Sequence, residues 1–323
     1  MSRSLRATDP RDKIIALLGM VKEGEEGKAA VYIPPDYGKS VQETYTDVTG
    51  AFIVSGSLEL LSSVECKATT EIEHLPSWVP DYSSIGHNGS FAAGYEAAGD
   101  TSVSATWSPG SQELRINGQI VDTVAVVSSS AGGEDGNDFL MESFKMAASI
   151  LGSGDEHTWL SHLISGRSEP ALDAFWRTMI GDKDDQSACP APKEVRNHFA
   201  LYMFKLFAED GLKISEEDGE ILKSNPYFQN LLRSGDILHF MTLWYDKIQN
   251  HRFFITEKSR VGLASLDVEK GDKVAIFSGG CPIYIVRGSM GHFKFIGDGY
   301  VHGLMHGEAF SEEGSRFEQF TLR

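Results

Sequence analysis

Apolar residues recur at three- and four-residue spacing from about residue 131 to Asn250, and on both flanks that spacing gives way to short β-branched runs cut by Gly and Pro. A stripe of period 3.6 is buried by an amphipathic helix and an alternating run by a strand, so the chain is neither all-helical nor all-β. Leu140, Phe144, Ala147 and Leu151 form one helical stripe, and Leu172, Phe175, Trp176 and Met179 a second. Val195, Phe199, Tyr202 and Leu206 form a third, and Pro226 to Ile248 is expected to supply one more helix. The fold class expected is α+β: an N-terminal mixed α/β segment (1–130), a helical middle (131–250) and a small C-terminal antiparallel β module (251–323).

Local signals sharpen the flanks. Thr8 or Asp9 can cap a first helix carrying Ile14, Ile15, Leu17 and Leu18, with Gly19 ending it. Ser40 and Glu43 have the spacing of a capping box, followed by Val41, Tyr45, Val48 and Phe52 at helical intervals. Ser102–Trp107 and Leu114–Val127 read as strands joined through Ser108-Pro-Gly-Ser111. After Asn250, the runs at 253–256, 274–277, 283–286 and 293–296 alternate with Gly271-Asp272 and Ser278-Gly-Gly280 turns, as in a sheet or barrel of hairpins. Lys22–Lys28, Gly132–Asn137 and the acidic stretch Glu209–Glu220 are expected to be solvated loops.

The 323 residues carry 46 acidic and 29 basic side chains, a formal charge of −17, which would repel a nucleic acid. The hydrophobic fraction of 41% is enough to bury a core, so wholesale disorder is excluded. Cys66, Cys189 and Cys281 are odd in number and contain no CxxC, which supports neither a disulfide framework nor a zinc knuckle and suits a reducing, cytoplasmic compartment. No apolar run approaches the ~20 residues of a membrane span. Neither a membrane nor a nucleic acid is expected as partner.

Chemistry is sparse. In an extended strand His302, His306 and Glu308 would share parity, and with His292 they could ligate zinc or iron. Gly303 and Gly307 argue for a turning backbone instead, so these polar groups are expected to satisfy nearby backbone rather than bind metal. Asp182-Lys-Asp-Asp185 and Glu134–Asp138 lack the layout of a calcium loop. No phosphate loop, dinucleotide fingerprint, HExxH or nucleophile elbow occurs. Trp78, between two prolines, and Trp176 are expected in the core, and Cys281 has no adjacent base to activate it. No catalytic, cofactor-binding or metal residue is assigned, and no cofactor is expected.

Several stretches, in order, resemble the fungal heterokaryon incompatibility (HET) domain protein family. They are Thr8–Ile14 with Ala16–Gly19, Ile15 departing where an aromatic is usual, Pro35-Asp-Tyr37 with Lys39, Ser40, Val41 and Tyr45, Gly56-Ser-Leu58, Leu60-Leu-Ser62, Leu75-Pro-Ser-Trp-Val-Pro-Asp81, Gly118, Asp122 and Phe175-Trp-Arg177. Near the C-terminus follow Arg252-Phe-Phe254, Gly262, Gly271-Asp272, Gly279-Gly280, Pro282, Arg287 and Tyr300–Glu308. The family's aromatic-rich N-terminal motif, which belongs to a TIR-like domain, is not among them. The resemblance implies a regulatory or interaction role in self/non-self recognition, with a protein partner, and a downstream region unable to signal programmed cell death by itself. The alternative it leaves open is an accessory protein or metal-assisted enzyme of a secondary-metabolite gene cluster.

Overall fold

A computed structural model describes residues 7–18, 33–64, 72–84, 91–129, 131–132, 136–152, 156–211, 215–234, 237–310 and 317–323. Gly19, the Lys22–Lys28 stretch, Cys66, Glu134 and Asp135 lie outside them. The chain divides into two compact units, 1–125 with 264–323 and 126–263. Both helices and strands are present, as α+β requires.

In the first unit, α1 (Asp12–Leu18) and α2 (Val41–Val54) lie where the sequence signals place them. Asp9 accepts the Arg11 amide at 3.0 Å. The capping box closes in both directions: Ser40 Oγ accepts the Glu43 N–H, and Glu43 Oε2 accepts the Ser40 N–H at 2.8 Å. The buried face of α2 carries Tyr45 and Val48, and Gly50 lets Trp107 approach so closely that a Cβ would meet its ring at 2.3 Å.

Strands β1 (Ala105–Thr106) and β2 (Leu114–Val127) form the expected hairpin, Ala105 opposite Ile116. Next come β5 (Lys273–Phe277), β6 (Ile283–Ser289) and β7 (His292–Val301), which pair antiparallel in sequence. The chain then returns as β8 (Glu318–Leu322). Two pairings of β2 close this meander into a ring. Gly118–Thr123 pair with β5, and Leu114–Gly118 pair with β8. β8 meets β7 in parallel at Phe293↔Leu322, the one departure from the antiparallel module expected. Closure removes the exposed sheet edges that an open meander would carry. Leu114, Ile116, Ala275, Phe277, Tyr284, Val286, Phe295, Phe320 and Leu322 share one core with Tyr45, Val48 and Trp78. Phe277 stacks on Tyr284 at 4.9 Å within it.

The second unit holds α3 (Gly136–Leu151), α4 (Glu156–Ser165), α5 (Pro170–Met179), α6 (Glu194–Glu209), α7 (Glu216–Ser224), α8 (Pro226–Ser234) and α9 (Ile237–Ile248). The hairpin strands β3 (His251–Thr256) and β4 (Val261–Ser265) follow, and the unit boundaries fall inside β2 and β4. The stripes of α3, α5 and α6 converge on Phe144, whose ring meets Trp159, Phe175 and Phe207 edge-on at 5.5–5.6 Å.

Three expectations are corrected here. The acidic stretch is not simply a solvated loop, because Glu216–Ser224 is helical: Ser215 caps α7, and Glu216, Glu217 and Asp218 occupy the first turn, where acid complements the helix dipole. Gly132 is buried, not looped into solvent, since a Cβ there would lie 1.9 Å from the Ile248 carbonyl. Pro226–Ile248 forms two helices rather than one.

Candidate functional site

Of the C-terminal residues that carry the family resemblance, those from Gly271 onward gather in two places in the first unit, whereas Arg252-Phe-Phe254 and Gly262 belong to the second. One is a buried ion pair. Arg287 on β6 donates to both Asp272 oxygens, at 2.7 and 2.9 Å, to the Asp267 carbonyl at 2.7 Å, and meets Glu269 at 3.0 Å. Asp272 also accepts the Glu269 amide at 2.8 Å, and its side chain is 1% exposed. The hydrogen bond from Asp272, then its charge, holds the Arg287 guanidinium above its ordinary pKa. This arrangement pins the connection into β5 against β6. It presents no open coordination position and no group poised for proton transfer.

The other is a cluster of turns. Ser278–Pro282 joins β5 to β6; Gly279 takes φ +74°, and a Cβ there would sit 2.5 Å from the Val103 nitrogen. A Cβ on Gly280 would lie 2.7 Å from the Tyr284 ring, so this glycine permits a tight approach that alanine would block. Across these turns runs the segment 91–101. Its Ala97 and Ala98 amides donate to the Cys281 and Gly280 carbonyls, and its Glu96 amide to the Met305 carbonyl, at 2.8, 3.1 and 2.9 Å. Asp298, 6% exposed, anchors the start of the segment by accepting the Phe91 amide at 2.9 Å. Phe91, Tyr95 and Tyr300 are buried and pack ring against ring at 5.8–6.1 Å.

His302, His306 and Glu308 lie at this cluster but not on one strand. β7 ends at Val301, and Gly303 and Gly307 take φ +79° and +80°, which breaks the alternation that shared parity assumes. His302 Nδ1 pairs with the Tyr300 hydroxyl at 3.0 Å, and Glu308 accepts the His306 amide at 2.6 Å. His292 stands at the opposite end of β7, opposite Ser289. Among the described residues no three His, Cys, Asp or Glu side chains lie close enough to hold a metal. Exposed Glu96, Cys281, Gly303, His306 and Glu308 form the outer surface over the buried anchors.

Trp78 and Trp176 are core residues, as expected, 0% and 1% exposed. The Phe175-Trp-Arg177 stretch is structural as well. Arg177 lies 4.4 Å over the Trp176 ring, pairs with Asp182 and donates to the Ala191 carbonyl at 2.9 Å. Asp182 is therefore buried in an ion pair rather than part of a solvated loop. Sequence reasoning missed the segment 91–101 and Asp298. The available signal was the carboxylate between Gly297 and Gly299 inside an apolar strand, since a buried acid needs donors.

Comparison with known proteins agrees with this layout. Residues 215–322 match the Het-6 β-barrel domain family. That span supplies β5 to β8 of the ring, while β2 lies upstream of it. Heterokaryon incompatibility protein 6, OR allele, of Neurospora crassa is 26% identical over 354 aligned positions, covering 93% of this chain and 49% of that protein. The chain thus spans about half the length of that relative. No solved structure matches it. The buried ion pair and the glycine turns between β5 and β6 therefore lie in the part of the chain, residues 215–322, that matches the Het-6 β-barrel domain family.

Proposed function

We propose that this chain is a regulatory or interaction protein of fungal self/non-self recognition, acting in the cytoplasm on a protein partner, and that these 323 residues alone do not trigger cell death. The observation that carries the reading is the similarity to a heterokaryon incompatibility protein along 93% of the chain. The geometry is compatible with it: buried anchors hold a rim of exposed Glu96, His306 and Glu308, as a rigid binding surface requires.

The test is expression in a fungal host in two settings. Alone, the chain should leave growth and vital-dye exclusion unchanged; growth arrest would overturn that half of the reading. In confrontations between incompatible strains, it should change the frequency of viable heterokaryons relative to confrontations without it. Glu308→Lys, a surface change, should abolish the shift at unchanged protein level. An unaltered frequency with the unmodified chain would refute the recognition role.

A further inference from the structure

Beside the turn cluster, and within the same unit, a cavity of about 130 Å³ opens between Gly56–Glu59, Ser62 and Ala92 on one side and Gly279, Cys281, Pro282 and Tyr284 on the other. A cavity of about 150 Å³ is known to accommodate benzene, so this one has room for a ligand of a few non-hydrogen atoms. Ser62 lines it, is 8% exposed, and has a hydroxyl with no hydrogen-bond partner among the described residues. A buried hydroxyl in that state is costly unless something in the cavity pairs with it. Glu59 contributes the one charge among the described lining residues, and no Lys, Arg or His is among them. Tyr284 adds an aromatic wall, its ring stacked on Phe277 at 4.9 Å and packed against Phe295 at 5.8 Å.

We propose that this cavity binds a small organic ammonium ion, its charge at Glu59 and against the Tyr284 ring, its polar tail on the Ser62 hydroxyl. Carboxylate attraction and cation–π contact favour a cation, and the surrounding charge disfavours an anion. Burial, then the Glu59 and Glu96 carboxylates, push the Cys281 thiol up, and burial with Asp298 does the same to the Tyr284 phenol. Both shifts favour the neutral forms, so neither group adds a negative charge to the cavity at neutral pH. The site stands on geometry independent of the recognition role.

The experiment titrates the full chain with ethanolammonium chloride, and separately with sodium glycolate of similar size at equal ionic strength, following amide resonances by NMR. Saturable shifts at Ser57–Glu59, Gly279 and Cys281 with ethanolammonium, at millimolar concentration, and none with glycolate are expected. Glu59→Gln should weaken binding by about tenfold, as loss of one charge-assisted contact implies, and Ser62→Ala by a smaller factor. Glu59 is exposed, so its replacement does not threaten the fold. Equal shifts with both salts, shifts that do not saturate, or full binding by Glu59→Gln would each overturn the assignment.

Discussion

Removing either end of the Asp272–Arg287 pair should destabilise the first unit, and the two losses should be unequal in a defined order. Asp272→Ala strips two hydrogen bonds from Arg287, but the guanidinium is 29% exposed and keeps Glu269 and the Asp267 carbonyl. Arg287→Ala instead leaves a carboxylate that is 1% exposed, with the Glu269 amide still donating to it. Breaking a buried pair by deleting one partner costs about 3–5 kcal/mol. Asp272→Ala belongs at the low end, about 3 kcal/mol, because its orphan reaches water, and Arg287→Ala at the high end, about 5 kcal/mol, because its orphan does not. The double variant Asp272→Ala/Arg287→Ala should cost less than the sum by about 2–3 kcal/mol, within the range of coupling between groups in direct contact. Hydrogen exchange of the β5 and β6 amides reads this unit by itself: protection should fall by about two decades in Asp272→Ala and more in Arg287→Ala, at about 1.4 kcal/mol per decade. Equal losses, the reverse order, or additive costs in the double variant would refute the assignment of the pair as buried and mutually dependent.

His251 is buried in the second unit, and desolvation lowers its pKa from 6.5 to about 4, with Lys247 adding to the effect. The unfolded chain takes up a proton below pH 6.5 that the folded chain refuses until about 4, so stability should fall as pH drops through that window, by about 3 kcal/mol in all. His251→Gln should remove that component of the slope in urea unfolding measured from pH 7.5 to 4. Gly118→Ala should cost about 1–3 kcal/mol, because the new Cβ would lie 2.6 Å from the Phe277 ring and 2.9 Å from the Ile276 carbonyl. Gly219→Ala in α7 meets nothing within 4 Å and should instead stabilise by about 0.5–1 kcal/mol, and thermal unfolding of the two glycine variants checks both signs. Ser40→Ala should cost about 1 kcal/mol through loss of the α2 cap, seen as fraying of the 41–44 amides by hydrogen exchange.

What could be read from the sequence was whatever a short window contains. The α2 capping box, the α5 stripe, the hairpin at Pro109-Gly110 and the turn at Ser278-Gly-Gly280 each depend on neighbours a few residues apart. Ring closure depends on β2 meeting β5 and β8, strands separated from it by the whole helical unit, and no periodicity encodes a partner. α7 escaped because its first turn is almost wholly charged, so a capping signal looked like a solvated run. α4 escaped because Glu156 and His157 draw attention to ligand spacing, whereas Trp159, Leu160, Leu163 and Ile164 are the buried face.

The His302–Glu308 stretch separates two questions that a motif tends to merge. Parity along a strand is a sound argument only while φ stays extended; Gly303 ends that condition two residues after Val301, and Gly307 breaks it again. The same glycines turn the chain so that Met305 receives the Glu96 amide and His306 packs 6.0 Å from the Tyr95 ring. Gly279 and Gly280 work alike at the facing turn, and Asp272 and Arg287 secure the strands beneath. The residues that carry the resemblance are thus largely those that shape backbone, and a shared backbone does not by itself specify a function. Specificity on such a scaffold must come from the side chains it leaves exposed. On this surface those are Glu96, Cys281, His306 and Glu308, so under the proposed recognition role changes there should alter recognition while substitutions at the glycines and the ion pair should act through folding.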